Sequence, residues 1–259
     1  ELSEYSHTPV MMQLRIRTCH LQGKFIAKNN IKPQISSTNK VEEVAPHNYD
    51  LIAHPPSTYA QEKLKYGQRA KLAKKFISNN SLNEFFEGEI EEIGLIVQGG
   101  LYNNLIAALK EMNMSDSLGN TKISIYVLNV VHPLIPDEVI SYAKNFKALL
   151  VIEEGQPQYI EQELGLLFHK EEIEVNLAGK DVLPMAGEYT SEVIHKGVFT
   201  FIKKYIPDFS NFSNLDYNTE IDQLREKASS SLGEVVPPRP PGFCTGCPER
   251  PFFSALKMI

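Results

Sequence analysis

From Ile93 onward the chain falls into short apolar runs separated by stretches with a helical stripe. Ile93-Gly94-Leu95-Ile96-Val97 is a run too short for a helix and ends at Gly99-Gly100, which predicts a buried strand. A helix carrying Leu101, Leu105, Ala108 and Leu109 follows it. The same alternation predicts strands over 123–128, 148–152 and 173–177, and helices over 137–146, 157–168 and 190–205. Strands alternating with helices at this spacing predict an α/β fold, a three-layer, mostly parallel, flavodoxin-like sheet.

The first part of the chain is less regular. Val10, Met12, Leu14 and Ile16 alternate with Met11, Gln13, Arg15 and Arg17, which predicts a half-buried strand over 9–17. Residues 20–55 are polar and Asn-rich with several prolines, as a crossing loop or linker is. Ser57 or Thr58 is placed to cap a helix reaching Ile77, whose apolar stripe is ragged and whose remainder is Lys-rich. A second helical stretch is expected to carry Leu82, Phe85 and Phe86. Residues 207–240 turn polar and rich in Ser, Asn and Pro, the signature of another linker.

Composition narrows the function classes. Of 259 residues, 42% are hydrophobic and 22% charged, which is ordinary globular usage and argues against disorder. A net charge of −6 argues against a nucleic-acid binder, which normally carries a basic face. No apolar window approaches the roughly eighteen residues of a membrane span, and no charged-then-apolar leader follows Glu1. Three cysteines, two of them in one C-x-x-C, suit an intracellular metal or redox pair better than a disulfide framework.

That pair is Cys244-Thr245-Gly246-Cys247, directly behind the proline run Pro237-Pro238-Arg239-Pro240-Pro241. Two thiolates three positions apart in a turn can grip one Zn²⁺ or one iron of a cluster, and either needs further ligands. Free thiols on a turn are the alternative, and a non-catalytic interaction domain with a zinc-bound or metal-free turn follows from it. Glu153-Glu154-Gly155 sits at the carboxyl end of a predicted strand, where ligands of open α/β sheets gather. Capping the next helix or contacting another domain are the roles expected of these two carboxylates. Gly99-Gly100 lets the chain turn over the sheet edge, with Gln98, Asn103 and Asn104 beside it as minor ligand candidates. His132 and His195 stand alone and read as packing or surface residues.

Several phrases together resemble one family. Arg239-Pro240-Pro241-Gly242-Phe243-Cys244-Thr245-Gly246-Cys247-Pro248-Glu249-Arg250, followed by Ala255-Leu256-Lys257, resembles the entry to the thiamine-diphosphate domain of the 2-oxoacid:ferredoxin oxidoreductases, indolepyruvate branch. Thr8-Pro9-Val10 through Cys19-His20 is similar to the last strand of that family's pyrimidine-binding domain. Val151-Ile152-Glu153-Glu154-Gly155, Glu161, Gly179-Lys180 and Gly187-Glu188-Tyr189-Thr190 are similar to its transketolase C-terminal-like domain. The resemblance implies five segments: the end of a pyrimidine-binding domain (1–20), a linker with helices (21–89), the transketolase C-terminal-like domain (90–207), a linker (208–236) and the start of a thiamine-diphosphate-binding domain (237–259).

It also implies an activity: oxidative decarboxylation of an aryl 2-oxoacid such as indolepyruvate. Thiamine diphosphate with Mg²⁺, [4Fe–4S] clusters, ferredoxin, CoA and a β subunit are the implied cofactors and partners, in a cytoplasmic setting. Most of those sites would fall outside this chain, and the fragment alone would be inactive. Within it, Cys244, Gly246, Cys247, Glu249 and Arg250 would lie toward the cofactor, with Cys244 and Cys247 as metal ligands and Glu153 and Glu154 as interdomain contacts. Glu249 stands where the family has His, which exchanges an imidazole for a carboxylate near a diphosphate.

Overall fold

The computed structural model describes residues 1–14, 52, 54–116, 118–207, 217–233, 247 and 249–258. Residues 1–215 form one compact unit and 216–259 a second.

The centre of the first unit is a five-stranded sheet: β1 (Glu84–Phe86), β2 (Ile90–Gln98), β3 (Ile123–Leu128), β4 (Ala148–Ile152) and β5 (Asn176–Ala178), in the order β1-β3-β2-β4-β5. β2, β3, β4 and β5 are parallel, and β1 is an antiparallel edge on β3. Without that edge the order is the flavodoxin-like one, with its switch point between β2 and β4.

The apolar runs of the middle strands are continuous because both faces are covered. Ile93, Leu95, Val97, Ile123, Ile125, Val127, Ala148, Leu150 and Ile152 share one core layer. Against them pack α4 (Tyr102–Glu111) through Leu105, Ala108 and Leu109, and α7 (Ser191–Tyr205) through Ile194, Val198, Phe201 and Ile202. The intervening residues Ile96, Tyr126, Leu128, Leu149 and Val151 point to the other layer. There they meet α5 (Pro136–Ala143) through Val139, Tyr142 and Ala143, and α6 (Tyr159–Lys170) through Ile160, Leu164 and Phe168. Period-two alternation in each strand thus builds the three layers.

Ahead of the sheet lie α1 (Leu2–Ser6), α2 (Thr58–Leu64) and α3 (Ala70–Asn79), the last two joined by a π-helical turn at Lys65–Arg69. The predicted helix to Ile77 is present in this form, and its ragged stripe buries only Gln61, Ala73 and Ile77.

Two local expectations are corrected. Residues 9–14 form no strand, and Val10, Met11, Met12 and Leu14 are exposed; no described strand lies beside them to complete a ladder. Arg15, Ile16 and Arg17 lie outside the described residues. The stretch with Leu82, Phe85 and Phe86 is not a helix: Glu84–Phe86 is strand β1. Its two rings point to opposite faces, Phe85 stacking on Tyr126 at 4.3 Å and Phe86 on Tyr102 at 5.3 Å.

The second unit contains α8 (Tyr217–Leu232) and α9 (Arg250–Leu256). α8 occupies the middle of the span expected to be a plain linker. Its polar sequence still favours helix because Glu, Gln, Leu, Arg, Lys and Ala are good helix formers.

Candidate functional site: the carboxyl edge of the sheet

The carboxyl ends of β2 and β4 flank the switch point, and there a polar network joins four loops. Gln98 closes β2, and its side-chain oxygen accepts the Glu154 N–H at 3.0 Å, linking the two strand ends. Gly99 turns the chain tightly, since a Cβ there would meet the Asn129 side chain and Cα. Asn104, on the first turn of α4, donates to the Tyr189 carbonyl at 2.8 Å.

Glu153 is 5% exposed, and its carboxylate accepts the N–H groups of Ile160 (3.0 and 3.1 Å) and Glu161 (3.2 Å). These are orphan donors at the start of α6, whose own N-cap residue Gln158 makes no side-chain bond. Glu154, one residue on, accepts the Tyr189 N–H at 2.7 Å. Both carboxylates therefore hold N–H groups of their own domain, and the helix-capping role expected of the pair falls to Glu153.

Lys180 ties the far side together. Its Nζ donates to the Glu153 carbonyl (2.6 Å) and the Tyr189 hydroxyl (2.7 Å), and its N–H donates to the Glu161 carboxylate (3.0 Å). The Tyr189 hydroxyl in turn donates to the Pro184 carbonyl. A Cβ at Gly179 would meet the Glu161 carboxylate and displace it from its bond to the Lys180 N–H. Burial lowers the Lys180 ammonium from its ordinary value, with the Glu153 and Glu161 charges opposing. Burial pushes the Tyr189 hydroxyl up to about 12, and the same two carboxylates add to the rise.

Every polar group named in this network has a partner inside the domain. Its chemistry is that of a clasp: it fixes four loops on the sheet edge. Among the described residues no group of three His, Cys, Asp or Glu is placed to hold a metal ion. Sequence reasoning placed Glu153 and Glu154 here but missed that Lys180 and Tyr189 converge on them. Their only signal was membership of the Gly179-Lys180 and Tyr189-Thr190 phrases.

No family model matches the chain. Subunit IorA of indolepyruvate oxidoreductase from Pyrococcus abyssi (strain GE5 / Orsay) is 24% identical over 258 residues, 99% of this chain. The IorA subunits of Thermococcus kodakarensis and Methanothermobacter marburgensis are 25% and 22% identical, again over 99% of the chain. This chain is IorA-like from end to end. It spans 37% of the length of each of these IorA relatives. A solved 2-oxoglutarate:ferredoxin oxidoreductase from Magnetococcus marinus matches 60% of the chain and 24% of its own, at 18% identity and a TM-score of 0.38.

The cysteine phrase lies in the second unit. Cys244 and Gly246 fall outside the described residues. Cys247 is a half-buried free thiol, and its carbonyl accepts the Arg250 N–H at 3.2 Å, closing a turn into α9. Glu249 and Arg250 are exposed at the start of that helix, and Glu249 makes no side-chain cap bond.

Among the described residues no helix is long and apolar enough to cross a membrane. His132 is exposed, 4.0 Å from Glu163, and His195 is buried on α7.

Proposed function

We propose that the chain is part of a 2-oxoacid:ferredoxin oxidoreductase acting on arylpyruvates such as indolepyruvate, with CoA as acyl acceptor and ferredoxin as electron acceptor. The observation that carries this reading is end-to-end similarity to IorA subunits over 99% of the chain. Thiamine diphosphate with Mg²⁺ would supply the electron sink for decarboxylation and [4Fe–4S] clusters the path to ferredoxin. A β subunit and a cytoplasmic setting belong to the same proposal.

In this reading residues 90–207 are architectural and follow in sequence the end of the pyrimidine-binding domain (1–20) and a linker (21–89), with a second linker (208–236) leading to the start of the thiamine-diphosphate domain (237–259). The clasped carboxyl edge supports the role, because a surface that seats neighbouring domains has to be rigid. Glu153 fixes that edge, and half-exposed Glu154 lies where a neighbouring domain would meet it. Cys244 and Cys247 are the proposed metal ligands, with Gly246, Glu249 and Arg250 toward the cofactor.

The coding sequence beyond Ile259 tests the proposal. A Gly-Asp-Gly followed by Asn, marking Mg²⁺-diphosphate binding, and further C-x-x-C-x-x-C runs are expected. A reading frame that terminates at Ile259 would contradict it. An anaerobic iron and sulfide assay tests the thiols. Iron retained by the wild type and lost in Cys244→Ser and Cys247→Ser supports cluster ligation, and zinc in its place supports the interaction-domain alternative.

A further inference from the structure

Away from the carboxyl edge, a groove of about 460 Å³ opens where β1 meets α5. Its apolar wall includes Phe85, Tyr142 and Phe146, and its acidic side Glu87, Asp137 and Glu138; no lysine, arginine or histidine lines it. Phe85 is 48% exposed although its ring is fixed by stacking on Tyr126 at 4.3 Å. The Glu138 carboxylate is also held in place, by the Tyr126 hydroxyl at 2.8 Å and the Asn83 amide at 3.2 Å. None of the three carboxylates has an ion-pair partner among the described residues. Asp137 and Glu138 also favour the N-terminus of α5, but Glu87 follows β1 and has no such role.

Two further features select the occupant. β1 is the last strand on its side of the sheet, and no described strand pairs with its outer side. An open strand edge is a template for an extended segment, with backbone bonds for affinity and side-chain pockets for specificity. Aromatic faces beside carboxylates suit a guanidinium or ammonium, which gains from both the ring and the charge.

We propose that this groove docks an extended polypeptide segment of a partner protein, one that carries Arg or Lys beside an apolar residue. The segment's cation meets Glu87, Asp137 and Glu138, and its apolar side chain covers the open face of Phe85. The inference does not depend on the oxidoreductase reading.

The test titrates the isotope-labelled chain with acetyl-Val-Arg-Val-Arg-Val-amide in about 0.15 M salt and follows backbone amide shifts. Saturable shifts confined to β1, Glu87, Ser124 and the stretch from Asp137 to Phe146 are expected, with none from acetyl-Val-Glu-Val-Glu-Val-amide. The double variant Glu87→Gln/Asp137→Asn alters two exposed side chains, and losing the Asp137 charge at the start of α5 should lower its melting temperature by no more than about 4 °C. Its affinity for the basic peptide should fall about tenfold or more. The proposal is overturned by equal affinity in the double variant, by scattered or absent shifts, or by arginine amide alone binding as tightly as the pentapeptide. That last outcome would mean a small-cation site.

Discussion

Glu153 completes a helix from seven residues away. Three bonds from two N–H groups end on its buried carboxylate, so removing it leaves the donors at the start of α6 without a protein partner. Glu153→Ala is expected to lower stability by about 1–3 kcal/mol in urea unfolding, and Glu153→Gln, which keeps one acceptor oxygen, by less. His195 is a second residue whose environment has a consequence. It is 2% exposed, and burial holds its imidazole below the ordinary value, with the Glu111 charge opposing. The unfolded chain therefore binds a proton near pH 6.5 that the folded chain still refuses. Stability is present above that pH and falls as pH drops from about 6.5 toward the folded value. Denaturant midpoints at pH 8 and pH 5.5 should show a fall that is smaller in His195→Gln.

At this scale the sequence marked which residues carry charge at a strand end, but not what they hold. Glu153 and Glu154 are adjacent, and only the loop geometry sends one to α6 and the other to Tyr189. Lys180 and Tyr189 were legible only as pieces of a phrase, because the bonds of Lys180 to Glu153 and of Tyr189 to Glu154 each span more than twenty residues of chain.

Among the elements, Tyr142 shows how α5 is fastened to the sheet. Its hydroxyl lies at the irregularity between β2 and β3, 3.0 Å from the Leu95 carbonyl, 2.8 Å from the Ser124 carbonyl, and accepting the Leu95 N–H at 3.2 Å. Burial raises this phenol well above its ordinary value, consistent with a neutral hydroxyl that bonds backbone. Gly94 leaves room for it, since a Cβ there would approach the hydroxyl, Leu149 and Phe146 within 3 Å. Tyr142→Phe is expected to cost about 1–3 kcal/mol, because buried backbone groups lose a partner while the ring packing is kept. A lower denaturant midpoint with an unchanged slope would confirm it.

Strands β3 and β4 were legible with their ends because each is buried on both faces and reads as an unbroken apolar run. The helix expected over 190–205 is α7, and Thr190 proves to be its cap, its side chain accepting the Val193 N–H. Edges were not legible. The alternation at 9–17 met the period of a strand but has no described neighbour, whereas Glu84–Phe86 had no clear period and became a strand by pairing with β3. Period alone describes a face, and a strand also needs a partner.

For the whole molecule, the proposed role of residues 90–207 is to hold neighbouring domains of a 2-oxoacid oxidoreductase in place. The decisive measurement is ferredoxin reduction by the product of the complete gene, purified anaerobically with its partner subunit and loaded with iron and thiamine diphosphate. The account predicts reduction that requires both CoA and indolepyruvate and is slower with 2-oxoglutarate. A loaded complex that reduces no ferredoxin with indolepyruvate or any other arylpyruvate would contradict it.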